Sequence, residues 1–130
     1  MSKIVLIADD NLVMRNLIKF YLKDFKFKIL EAKDGIEALS LIKKKEVEIL
    51  FLDINMPNLD GFNVAKYLEV TGKELDIISI SSDLTRSNMI IMEEMGVKYF
   101  LTKPLNPTDF KKTIHDIIDV KEINDREEDS

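Results

Sequence analysis

Three apolar runs in this chain end in charged residues. Asp9-Asp10 follows Ile4-Val5-Leu6-Ile7-Ala8, Asp53 follows Ile49-Leu50-Phe51-Leu52, and Lys103-Pro104 follows Tyr99-Phe100-Leu101-Thr102. A fourth run, Ile77 to Ile80, ends in Ser81. A carboxylate where a buried segment meets a loop costs free energy unless it is paired or used. Carboxylates gathered in one place repel one another, and a cation among them lets them stay ionised. An oxygen-only donor set on rigid strand ends suits Mg²⁺, whose octahedral shell at about 2.0–2.1 Å keeps several waters. A metal-neutralised aspartate can act as a nucleophile toward a phosphoryl group, a transfer governed by positioning and by stabilising charge on the equatorial oxygens. Lys103 offers a partner for one such oxygen and the Ser81 hydroxyl for another.

Each residue alone has a plainer reading. Asp10 or Asp53 by itself is a helix cap, and Ser81 by itself is a turn hydroxyl. A shared position at the ends of several strands is what favours one site. The single histidine, His115, falls on the polar side of the last helix and reads as a surface residue. A transition-metal centre is therefore not expected.

The elements that must position these groups follow from periodicity. Ile4 to Ala8 reads as a buried strand. Met14, Leu17, Ile18, Tyr21, Leu22 and Phe25 recur at helical steps. Phe27 to Ala32 interleaves Lys28 and Glu31 with apolar residues, as an edge strand does. Asp34-Gly35-Ile36-Glu37 has the form of a capping box, and the helix it opens ends in Lys43-Lys44-Lys45, which suits the negative end of a helix dipole or a solvated helix end. Ile49 to Asp53 is apolar enough for a central strand, and Asp60-Gly61 opens a helix carrying Phe62, Ala65 and Leu68. Ile77 to Ser81 is the fourth strand, followed by a helix with Ile90, Ile91, Met92 and Met95 that stops at Gly96. Val97 to Thr102 is the fifth strand. Asn106-Pro107-Thr108-Asp109 supplies an N-cap, a first-turn proline and an early acid for a last helix that buries Phe110, Ile114, Ile117 and Ile118. From Lys121 the chain turns acidic and reads as frayed helix and tail.

Five strand–helix units predict an α/β fold, a parallel sheet with helices on both faces joined by right-handed crossovers. Ligands in such doubly wound folds sit at the carboxyl ends of the strands. Asp9-Asp10, Asp53, Ser81 and Lys103 end the first, third, fourth and fifth strands, so the topology should bring them together.

Composition narrows the function. The 130 residues suffice for one domain with a real core and not for two. A net charge of −5 and a pI of about 5.0 argue against direct nucleic-acid binding. With no cysteine, thiolate chemistry and Cys-based zinc sites are excluded. No apolar run approaches the roughly 20 residues that span a bilayer, and Met1-Ser2-Lys3 leads into a run too short for a signal peptide. A cytoplasmic protein is expected.

At this point the chain resembles the receiver domains of two-component response regulators, of the chemotaxis CheY type, over about residues 3 to 120. The resemblance rests on Asp9-Asp10, on Asp53-Ile54-Asn55-Met56-Pro57-Asn58-Leu59-Asp60-Gly61, on Ser81, on Gly96, and on Phe100 ahead of Lys103-Pro104. It implies a flavodoxin-like sheet of order 2-1-3-4-5 with five helices on its two faces. It implies a receiver domain at residues 1–120, with 121–130 as an acidic tail or the start of a linker. Asp53 would be the phosphoacceptor. Mg²⁺ (or Mn²⁺) would be bound by Asp10, Asp53 and the Asn55 backbone carbonyl, with Asp9 helping partly through water. Lys103 and Ser81 would contact the phosphoryl group, Ser81 and Phe100 would form the switch, and Asn55 and Asp83 would tune dephosphorylation. Phe100 stands where many relatives have tyrosine, so its movement would be driven by burial without a phenol hydrogen bond, or it is plain core. Tyr99 keeps a phenol nearby on the opposite face of the strand.

The resemblance further implies a phospho-acceptor switch rather than an enzyme, assisting only its own phosphorylation and dephosphorylation. A sensor histidine kinase or a small phosphodonor would supply the phosphoryl group. A downstream target would dock on the face of the fourth helix, fifth strand and fifth helix, with the protein a monomer or a phosphorylation-dependent dimer. Met89, Met92 and Met95 would be an adaptable part of that surface or partly core. Three rivals remain in view. A haloacid dehalogenase-type phosphatase needs an acid two residues beyond the nucleophile, where Asn55 stands. A dinucleotide-binding domain needs glycine patterns that the four glycines do not form. A pseudo-receiver that only binds partners would have little use for the intact acids and Lys103.

Overall fold

The computed structural model describes the backbone of residues 3–129 and the side chains of residues 3–119. Strands and helices alternate: β1 (Lys3–Ala8), α1 (Leu12–Tyr21), β2 (Phe27–Ala32), α2 (Gly35–Lys44), β3 (Val47–Asp53), α3 (Gly61–Val70), β4 (Asp76–Ser81), α4 (Arg86–Glu94), β5 (Tyr99–Thr102) and α5 (Pro107–Asp129). The five strands form one sheet in the order β2-β1-β3-β4-β5, and every pairing is parallel. This is the expected doubly wound topology. β3, apolar throughout, is central, and β2, with its charged positions, lies at an edge.

Alternation along the strands divides the core between two helical layers. Leu6, Leu50, Leu52 and Ile77 pack with Ala38 and Ile42 of α2, with Val64, Ala65 and Leu68 of α3, and with Met92 of α4. Val5, Ile7, Ile49, Phe51, Ile78 and Ile80 pack on the other side with Ile18 of α1 and with Phe110, Ile114 and Ile117 of α5. The Phe51 and Phe110 rings stack there at 5.3 Å. Each large apolar side chain buried this way contributes about 1.5–3 kcal/mol relative to exposure.

Local signals place the helix starts. Asp34 Oδ1 accepts from the Glu37 N–H at 2.8 Å, Asp60 Oδ1 from the Asn63 N–H at 2.9 Å, and Asn106 Oδ1 from the Thr108 N–H at 2.8 Å. Some boundaries differ from the sequence reading. α1 ends at Tyr21, and Phe25 is apolar because its ring stacks on Phe27, at the start of β2, at 5.4 Å. β3 begins at Val47 and β4 at Asp76. β5 begins at Tyr99, since the Val97 N–H closes the end of α4 by donating to the Met92 carbonyl. α5 continues as helix to Asp129, past the point at Lys121 where acidic composition suggested a frayed tail. Met1, Ser2 and Ser130 lie outside the described residues.

Among the methionines of α4, Met92 is fully buried, Met95 packs against the core and Met89 is half-buried. The exposed apolar side chains of that helix are Ile90 and Ile91. His115 is exposed, as expected, with its ring 5.5 Å from that of Phe25.

Candidate functional site

The parallel sheet delivers Asp9, Asp10, Asp53, Ser81 and Lys103 to one edge. Ligand oxygens of Asp9, Asp10 and Asp53 lie within 4.8 Å of one another. Lys103 Nζ stands 3.1 Å from Asp9 Oδ2 and 3.5 Å from Asp53 Oδ2. Asp9 and Asp53 are 1% and 4% exposed, whereas Asp10 faces solvent. Two of the three carboxylates, Asp9 and Asp53, thus share one ammonium.

Backbone groups fix the two buried acids. Asp9 Oδ1 accepts from the Asn11 N–H at 2.8 Å, and Asp53 Oδ1 accepts from the Asn55 N–H at 3.2 Å. Asn11 also caps α1 by accepting from the N–H groups of Val13 and Met14, so neither Asp9 nor Asp10 is the cap. Gly61 opens α3 directly against the end of β3. A Cβ there would lie 2.5 Å from the Asp53 carbonyl oxygen, so only glycine allows this approach.

Ser81 is buried at the end of β4, the strand beside Asp53. Its hydroxyl oxygen accepts from the Asp83 N–H at 3.0 Å, and its carbonyl accepts from the Lys103 N–H at 2.9 Å. The loop carrying Lys103 is thereby tied to β4, and the Lys103-Pro104 bond in that loop is cis. Phe100 is half-buried on the edge strand, packed on the α3–α4 side beside its register partner Ser79, while Tyr99 faces the α1–α5 side. Phe100 is not in contact with the acid cluster through any described bond. Asn55 and Asp83 are exposed, each with its backbone N–H turned to the residue it follows by two.

Electrostatics mark Asp53 out. Burial first, and then the charge of Asp9, push its carboxyl up to about 6, against the opposing pull of Lys103. Burial by itself disfavours the Lys103 ammonium, but the Asp9 hydrogen bond and the charges of Asp53 and Asp9 outweigh it and raise its pKa. The donor set fits a hard divalent cation, because all of its ligands are oxygens and its negative charge exceeds what one lysine neutralises. A cleft of about 630 Å³ between the ends of α3 and α4 and the starts of β4 and β5 shares none of these residues.

Sequence reasoning missed three supporting residues. Asn11 carries a readable signal, an N-cap type just before a helical run. Asn58 adopts a left-handed φ of 67° and donates from Nδ2 to Asp34 Oδ2 at 2.9 Å, strapping the loop after Asp53 to the start of α2. Asparagine tolerates that conformation, yet nothing local names Asp34 as its partner. Arg15 reaches the Asp9 carbonyl from α1, a contact with no sequence signal.

Residues 5–115 match the response regulator receiver domain. The chain is 38% identical over 107 residues to the response regulator GtcR of Aneurinibacillus migulanus, covering 82% of this chain and 44% of that protein. It thus spans less than half of GtcR. It is 30% identical over 118 residues to the chemotaxis protein CheY-3 of Vibrio cholerae, covering 88% of this chain and 91% of the relative. The solved structure of Vibrio cholerae CheY4 superposes with a TM-score of 0.81 at 26% identity, covering 88% and 98% of the two chains. A receiver match over nearly the whole chain, the 2-1-3-4-5 sheet and an aspartate pocket at its carboxyl edge agree: the chain belongs to the receiver domains of two-component response regulators.

Proposed function

We propose that this chain accepts a phosphoryl group on Asp53 in a Mg²⁺-dependent reaction and changes its partner affinity in response. The observation that carries this reading is the meeting of Asp9, Asp10 and Asp53 within 4.8 Å beside the Lys103 ammonium. An Asp53 carboxylate oxygen attacks phosphorus, and the bond from phosphorus to the donor breaks. The donor is the phosphohistidine of a sensor kinase or a small acyl phosphate, and the product is an aspartyl phosphate. Asp10, Asp53 and the Asn55 carbonyl would hold the cation, with Asp9 contributing partly through water. A divalent ion bound there would supply positive charge against the carboxylates and the incoming phosphoryl oxygens. Lys103 pairs with one phosphoryl oxygen, and the Ser81 hydroxyl leaves the Asp83 N–H to donate to another.

The added charge stabilises one state of the domain over another. Ser81 and Phe100 shift, and the face formed by α4, β5 and α5 alters its affinity for a downstream protein. Asn55 and Asp83 tune the lifetime of the aspartyl phosphate. Residues 1–120 constitute the receiver unit and 121–130 a tail or linker. Among the described residues no helix is long and apolar enough to cross a membrane, which is compatible with work in the cytoplasm beside a kinase.

Acetyl phosphate, or beryllofluoride as a phosphoryl mimic, tests the proposal in the presence of Mg²⁺. Acetyl phosphate should add one phosphoryl mass, and either reagent should shift amide resonances around Ser81 and Phe100. Both effects should vanish in Asp53→Asn or on chelation. Unchanged mass and spectra in the unmodified chain would sink the reading.

A further inference from the structure

Asp9 and Asp10 share a peptide unit, and that unit is held by a side chain outside the acid cluster. Arg15, in the first turn of α1, donates from Nη1 to the Asp9 carbonyl oxygen at 2.7 Å. Its Nε donates to Glu31 Oε1 at 3.1 Å, and Lys19 Nζ donates to Glu31 Oε2, also at 3.1 Å. Glu31 belongs to β2 and is the register partner of Ile7, one residue inside Ala8. The Arg15 side chain is 14% exposed, the most enclosed member of the trio.

The Asp9 carbonyl lies in the plane that joins residue 9 to residue 10. Fixing its oxygen fixes that plane, since the peptide itself does not rotate. The Asp9 N–H is already bonded to the Ala32 carbonyl at 3.1 Å. The two neighbouring acids must diverge: Asp9 turns inward to Lys103, and Asp10 stays at the surface with an oxygen near those of Asp9 and Asp53. Rotation of the plane between them would carry Asp10 away from the cluster.

We infer that Arg15, braced by Glu31 and Lys19, is a positioning residue that sets the Asp9–Asp10 peptide so that Asp10 can serve a divalent cation. This rests on the reading of the acid cluster as a Mg²⁺ site. The guanidinium meets the carbonyl and Glu31 through two nitrogens in a fixed fork, which a lysine ammonium cannot do. Residues that orient metal ligands change affinity by roughly 10–100-fold when removed.

The sign of the effect separates positioning from charge. A guanidinium near a cation site repels the cation, so if Arg15 acted only as a charge its loss would tighten Mg²⁺ binding. Mg²⁺ titrations followed by amide shifts, with Tm measured in metal-free buffer, decide it. Arg15→Ala should raise the Mg²⁺ Kd by at least about tenfold. Arg15→Lys, which keeps the charge and loses the fork, should fall between it and the unmodified chain. Glu31→Ala should also weaken binding, partly through its lost negative charge, so the charge-conserving Arg15→Lys decides the matter if Arg15→Ala does not fold. Unchanged or tighter Mg²⁺ binding in Arg15→Ala, or in Arg15→Lys, overturns the positioning role even if Tm falls. Failure of the unmodified chain to bind Mg²⁺ overturns the cation site itself.

Discussion

Lys103 Nζ lies 3.1 Å from Asp9 Oδ2, with Asp9 only 1% exposed. Ninety-four residues of chain separate the two, so the pair closes the β5–α5 loop onto the β1–α1 loop. Its proximity to Asp53 gives the same ammonium a proposed chemical task beside the structural one. Lys103→Ala strands a buried carboxylate and should cost about 2–4 kcal/mol in urea unfolding, less than a fully enclosed pair because the lysine is partly exposed. Mg²⁺ binding should persist and recover part of that loss. The spectral response to acetyl phosphate should weaken, and an undiminished response would remove Lys103 from the switch.

Asp53 should make the metal-free domain less stable as pH rises. Its carboxyl titrates near 6 in the fold against 3.8 for the ordinary group, so between those values the folded state binds more protons than the unfolded one. Its contribution to stability is highest below about 3.8, falls through that window and is flat above about 6. Asp53→Asn should abolish that portion of the slope. At pH 7.5 without metal it should raise Tm by about 3–6 °C. Thermal melts at several pH values, with and without Mg²⁺, test both points.

Gly61 lets α3 begin against the backbone of Asp53, with no room for a methyl group. Gly61→Ala should push the two segments apart at a cost of about 1–3 kcal/mol. Because the displaced atoms belong to the proposed phosphoacceptor, the rate of acetyl phosphate labelling should fall more than in a surface variant such as Lys66→Ala. Equal labelling rates would show that the close approach is only packing.

The Ser79 hydroxyl is fully buried and has no hydrogen-bond partner among the described residues. An unmet buried polar group costs about 1–3 kcal/mol, so Ser79→Ala should be neutral or stabilise by about 1 kcal/mol in urea unfolding. A loss greater than 1 kcal/mol, a figure on the scale of one net hydrogen bond, would reveal an unseen partner for the hydroxyl.

The elements were legible where a local rule acts alone. Asp34, Asp60 and Asn106 cap the helices that the sequence assigns to them, because an N-cap needs only a short polar side chain and the N–H groups two or three residues ahead. The errors fell where an apolar residue served a neighbour. Phe25 has helical spacing but stacks on Phe27, and Val97 has strand character but closes α4. Periodicity records that a side chain is buried and does not record against what. The methionines of α4 show the same limit, since only packing assigns Met92 to the core and leaves Ile90 and Ile91 outside.

The sequence by itself determined the alternation of strands and helices, and hence that Asp9, Asp10, Asp53, Ser81 and Lys103 would end parallel strands at one edge. Those facts follow from the period of each segment and from the handedness of the crossovers. Only the tertiary structure decided which acid is buried on Lys103, which stays at the surface, and which groups hold them there. Arg15 on the Asp9 carbonyl joins two consecutive elements, and Asn58 on Asp34 joins segments farther apart in the chain. Such contacts depend on interatomic distances a few ångströms long, and local propensity carries no information about them.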